Sequence, residues 1–143
     1  MSLFYATCQG IGLAVAAGTF AGASGRRGTV GALLAVPSAI GGGILFAVSL
    51  SNRDHPAWPG VPLGILIALL AFGVVSAVVA GAQARAKGSS SIGLLVAAVA
   101  LVVAVLSVFV EPVGLVAFLA LLWLASARRR RAQRKYEGLR VLR

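Results

Sequence analysis

Five apolar stretches, over residues 3–22, 30–50, 61–82, 92–110 and 113–127, are joined by connections too short to fold by themselves. A helix needs about 20 apolar residues to cross a hydrocarbon core about 30 Å thick. The pattern therefore predicts an all-α integral membrane protein, a five-span helical bundle occupying residues 1–127 with a basic juxtamembrane tail over 128–143. The last stretch is short for a crossing. Arg128 and Arg129 can snorkel to the interface at its end, and Trp123 can sit near it.

The placement of charge sets the expected orientation. Of 13 Lys and Arg residues, all but Arg53 fall on one face when the stretches are threaded alternately: Arg26, Arg27, Arg85, Lys87 and the tail. Cytoplasmic loops carry the Lys/Arg excess, which predicts an N-out, C-in topology. Reading 92–127 as a single span would send the arginine-rich tail outside. Pro112 lacks an N–H and disfavours helix at Glu111, so a tight Glu111-Pro112 turn divides that region into two helices.

A hydrophobic fraction of 59% with 11% charged residues excludes a water-soluble fold. The net charge of +10 is segregated to loops and tail, so anionic headgroups are the expected partner and nucleic acid is not. One cysteine, Cys8, excludes an internal disulfide, and one histidine, His55, excludes a His/Cys metal cluster within one chain. No lipobox surrounds Cys8. Ala21-Gly22-Ala23 has the small-x-small pattern of a cleavage site, but no Lys or Arg precedes the apolar run and cleavage would leave Arg26 and Arg27 outside. The first span is expected to be retained.

Small residues recur at four-residue spacing: Gly10, Ala14, Gly18 and Gly22 in helix one; Gly31, Ala35, Ala39, Gly43 and Ala47 in helix two; Gly73, Ala77 and Gly81 in helix three. Close backbone approach through such residues drives helix association in lipid, so helices one and two are expected to pack tightly. The abundance of glycine, 18 in the chain, could produce such stripes without that purpose.

Helix two holds the strongest functional lead. Pro37 removes a helix bond, Ser38 follows it, and Gly41, Gly42 and Gly43 weaken the next turn. A break is expected between Leu33 and Gly43, near mid-membrane. Broken helices at that depth line pores and transport sites; the competing reading is a kink that serves packing. At the outer face, the turn-rich loop from Ser51 to Gly60 carries Arg53, Asp54 and His55, which with Glu111 could form an ion-pair cluster or stand as a solvated loop. The spans contain no Asp, Glu, Lys, Arg or His, which weighs against a proton-coupled carrier. Gln9, Thr19, Ser38, Ser49, Ser76 and Ser107 are expected to hydrogen-bond between helices. In the tail, Arg128, Arg129, Arg130, Arg131, Arg134, Lys135 and Tyr136 are candidates for lipid or partner binding; Ala132, Tyr136 and Leu139 fall at helical spacing, so the tail is expected to lie as an interfacial helix until Gly138.

From Gly43 onward the chain resembles a family of small bacterial membrane proteins, domain-of-unknown-function family 4126. The likeness rests on Ile44-Leu45-Phe46-Ala47-Val48-Ser49-Leu50, the polar loop into Trp58-Pro59-Gly60, Leu106-Ser107-Val108 before Pro112, and the ending Lys135-Tyr136-Glu137-Gly138-Leu139-Arg140-Val141-Leu142-Arg143. The resemblance implies a polytopic protein of the bacterial cytoplasmic membrane with no assigned chemistry. No enzymatic activity and no cofactor are expected. The leading functional expectation is a homo-oligomeric pore or passive transport protein built around the second helix. The rival is a non-transporting scaffold or accessory subunit whose tail binds anionic lipid or a partner. A pore requires a polar or glycine-lined cavity reaching mid-membrane, and a scaffold a closed, dry bundle.

Overall fold

The computed structural model describes residues 2–25, 28–86, 91–110 and 112–140, with side chains described from residue 3 to residue 131 within those ranges. Five helices follow in order: α1 (Ser2–Gly22), α2 (Thr29–Ser51), α3 (Gly60–Arg85), α4 (Ser91–Phe109) and α5 (Pro112–Arg140). Each is long and apolar enough to cross a membrane. Among the described residues there is no strand.

The helices alternate in direction, so α1, α3 and α5 run parallel. α1 is the hub and packs on all four others; α2 packs on α1 and α3 and reaches neither α4 nor α5. The tightest unit is α1–α2–α3. α4 and α5 lean mainly on α1, with lighter contact to α3 and to each other. Two ends result. One gathers the start of α1, the α2–α3 loop and the α4–α5 turn; the other gathers the end of α3, the start of α4 and the arginines of α5.

Glycine explains this arrangement. A β-carbon on Gly18 of α1 would run into the Ala68 carbonyl and Ala71 of α3. α2 and α3 meet at Gly42 and Gly64, where a β-carbon on Gly42 would lie 2.5 Å from Ala68 Cβ and one on Gly64 would strike the Gly42 carbonyl. On the other flank of α1, Gly12 meets Ser107 and Gly114, and Gly114 meets the Cys8 carbonyl. Backbones approach this closely only where at least one of the facing residues carries no side chain, and dispersion across the contact then stabilises the pair. Phe46, 2% exposed, fills the space between α1 and α2 beside Ala6, Ala14 and Leu50.

The expected tight pairing of helices one and two is present, but the α1 stripe is shared. Gly10 faces Phe46 and Ser49 of α2, whereas Gly18 and Gly22 face α3. The expected α3 stripe is displaced: a β-carbon on Gly73 or Gly81 would meet nothing within 4 Å, and the packing glycines of α3 are Gly60 and Gly64.

Two expectations about helix continuity are corrected. α2 is helical without interruption from Thr29 to Ser51, with Pro37 inside it. Proline removes one bond, while burial of Ser38, Gly42, Gly43, Phe46 and Ser49 along one face holds the turns on either side. The span expected to end at residue 127 and the separate interfacial helix expected after it are one helix, α5. It continues through the arginine run to Arg140, because Ala, Arg, Gln, Lys and Glu are good helix formers and no breaker precedes Gly138.

A candidate lipid site at the basic end

Helical continuity through the arginine run sorts its four members. Arg128 and Arg131, three residues apart, share a face of α5 and line a pocket against α3; Arg129 and Arg130 are exposed and do not line it. Arg128 is half-buried. Its guanidinium forks onto α3, with Nη1 donating to the Val74 carbonyl and Nη2 to the Ala77 carbonyl, each at 3.3 Å. These carbonyls lie in the C-terminal half of α3. From Pro112 to Arg128 the helix climbs about 24 Å, so Arg128 lies close to the boundary of a core about 30 Å thick.

Arg85, in the last turn of α3, completes the rim. The pocket holds about 440 Å³ between Arg85 and Gly81 of α3 and Trp123, Arg128 and Arg131 of α5. Asp54, the only acid among the residues whose side chains are described, sits at the opposite end. Below the pocket lies a second cavity of about 350 Å³, walled by valine, alanine and leucine of α3, α4 and α5 and by Val15 and Thr19 of α1. Val78 and Leu124 line both spaces. The lower one exists because α4 and α5 make so little contact with α3.

The side chains of Arg134, Lys135 and Tyr136, and all of Arg26, Arg27, Lys87 and Glu111, lie outside the described residues. Arg53, Asp54 and His55 are the outer-face residues that lie within them. Of these, the Arg53 guanidinium carbon lies 5.9 Å from the centroid of the Tyr5 ring, a cation–π distance. Among the described residues, no three His, Cys, Asp or Glu side chains gather as a metal site would require.

Asp54 has a structural task. It adopts φ 58°, and around it the His55 N–H donates to the Leu50 carbonyl at 3.2 Å and the Asp54 N–H to the Ser51 carbonyl at 3.2 Å. This is a Schellman cap with Asp54 at the left-handed position that glycine usually fills. Asp54→Gly should raise stability by about 1 kcal/mol and Asp54→Val lower it by a similar amount. Thermal unfolding in detergent reads both. A loss in Asp54→Gly would mean that the carboxylate acts beyond the turn.

The mid-span residues divide as well. Pro37 is exposed, and a β-carbon on Gly41 would meet nothing within 4 Å, while Gly42 and Gly43 press on α3. Ser38 is 5% exposed and its Oγ has no hydrogen-bond partner. Ser49 bonds between helices, donating towards the Ala6 carbonyl of α1 at 3.1 Å and the Phe46 carbonyl at 2.7 Å. The bonds made by the Thr19, Ser76 and Ser107 hydroxyls stay within their own helices, on the carbonyls of Ala16, Gly73 and Val103. The expected interhelical role is thus seen in Ser49.

The basic pocket went unnoticed in the sequence, although the spacing of Arg128 and Arg131 was a usable signal once α5 is known to continue. Five membrane-length apolar helices packed through glycine define a polytopic α-helical membrane protein. No protein-family profile, curated protein or solved structure matches this chain.

Proposed function

We propose that the protein sits N-out and C-in in a bacterial cytoplasmic membrane and acts as a homo-oligomeric, non-transporting scaffold or accessory subunit whose basic end binds anionic lipid. The observation that carries this reading is the convergence of Arg85, Arg128 and Arg131 on one pocket. Juxtamembrane basic residues each attract an anionic surface by about 1 kcal/mol. The packing of Gly42 and Gly43 against α3 supports the scaffold over the pore, because those glycines are occupied in helix contact. Kinship with family 4126 belongs to the same proposal and adds no chemistry.

Reconstitution tests it. Vesicles carrying the protein should retain a small soluble dye as well as protein-free vesicles do. The assembled mass, read by light scattering after solubilisation, should rise or persist longer with phosphatidylglycerol than with phosphatidylcholine. Protein-dependent dye release would overturn the scaffold reading and restore the pore. An assembled mass indifferent to lipid charge would remove the role of the basic end.

A further inference from the structure

The geometry points to a specific site for one anionic phospholipid, with its phosphate on Arg85, Arg128 and Arg131 and one acyl chain passing Val78 and Leu124 into the apolar cavity between α3, α4 and α5. It rests on the lipid-binding reading above and gives it a position inside the bundle.

Several features combine here. The charged rim and the apolar chamber are stacked along the helix axis and share Val78 and Leu124 as walls, which matches an amphiphile and neither a free anion nor a hydrocarbon. From Arg128 down to Ala117, the deepest α5 residue of the chamber, α5 descends about 16 Å. The chamber, at about 350 Å³, falls within the range of pockets that bury a small ligand, about 300–1,000 Å³. The rim lies near the hydrocarbon boundary, the depth of a phospholipid phosphate. Arg128 is held by the Val74 and Ala77 carbonyls, so its charge is positioned before a ligand arrives, and guanidinium groups suit phosphate through paired donors. Trp123, exposed on its other side, supplies the amphipathic ring common at that level.

Gly81 gives the mouth its width. It lines the pocket, and a β-carbon there would touch nothing within 4 Å. Gly81→Leu therefore places a side chain in the mouth without disturbing packing. Ala120→Phe fills the chamber from an exposed position. Neither variant changes the charge of the rim.

Native mass spectrometry of the full-length protein, delipidated and re-supplied with dioleoyl phosphatidylglycerol or dioleoyl phosphatidylcholine, tests the site. The wild type should retain one phosphatidylglycerol per chain in preference to phosphatidylcholine. Arg85→Gln and Arg131→Gln should each weaken retention about fivefold, the equivalent of about 1 kcal/mol per basic residue. Gly81→Leu and Ala120→Phe should weaken it at least as much while keeping the wild-type unfolding temperature in lipid-free detergent. Glycerol phosphate, a headgroup without chains, should fail to compete. Retention that survives both steric variants but falls with the arginines would overturn this site and leave general binding of anionic lipid standing. Equal retention of the two lipids would overturn both. Competition by glycerol phosphate as strong as that of the whole lipid would reduce the site to a phosphate pocket and overturn the acyl-chain placement.

Discussion

Gly64→Leu should prevent α1, α2 and α3 from assembling. A leucine at residue 64 has to enter the space now held by the Gly42 carbonyl and Phe46 Cβ, and backbone cannot yield as a flexible side chain does. Overpacking of a close contact costs about 1–3 kcal/mol and sometimes more. The upper end applies here, because α2 would lose its seat on both neighbours. Gly18→Leu should behave alike, since the Ala68 carbonyl blocks it. The controls come from the same helices: a β-carbon on Gly73 or Gly41 meets nothing within 4 Å. Gly73→Leu should change stability by no more than about 0.5 kcal/mol, and Gly41→Ala should gain up to about 1 kcal/mol from helix propensity. Unfolding in mixed micelles, followed by helix content and elution profile, separates the two groups. Equal behaviour of Gly64→Leu and Gly73→Leu would show that the helices do not pack as described.

The second large effect is all-or-none. In a Cys8→Ser background, a cysteine introduced as Asn52→Cys should react with a membrane-impermeant thiol reagent in intact cells, and one introduced as Ala86→Cys should react only after lysis. Both positions are exposed and lie at opposite ends of the bundle. The basis is the concentration of Lys and Arg at the end that carries Arg85 and the α5 arginines. Labelling of Ala86→Cys but not Asn52→Cys in intact cells would invert the proposed orientation and move the arginine pocket to the outer leaflet. Labelling of both would indicate chains inserted in two directions.

How much of this molecule was legible beforehand varies with the residue. Five apolar runs, a proline at 112 and alternating loops were enough for five helices and two ends, because membrane thickness and backbone hydrogen bonding leave few other solutions. The arginine run was legible as a block, but the separate fates of Arg128 and Arg129 were not. They follow from α5 continuing as a helix, which turns one face towards the Val74 and Ala77 carbonyls. The glycines were the least legible. Gly41, Gly42 and Gly43 are alike in sequence, yet Gly41 has open space while its two neighbours carry the α2–α3 contact. Gly73 and Gly81 form a regular stripe with Ala77, yet a β-carbon on either glycine would meet nothing within 4 Å, while Gly64 and Gly114, outside the expected stripes, sit at backbone crossings.

Span number, helix class and the separation of charge were therefore determined by the amino-acid sequence alone, since length and apolarity suffice to satisfy a bilayer. The tertiary structure decided which face of each helix turned inward, which glycines were used and which arginines met across a pocket. Helices apolar all round carry no hydrophobic stripe to orient them, as an amphipathic helix does in water. In lipid their rotation is chosen by steric fit between backbones, and that fit exists only once the helices are side by side.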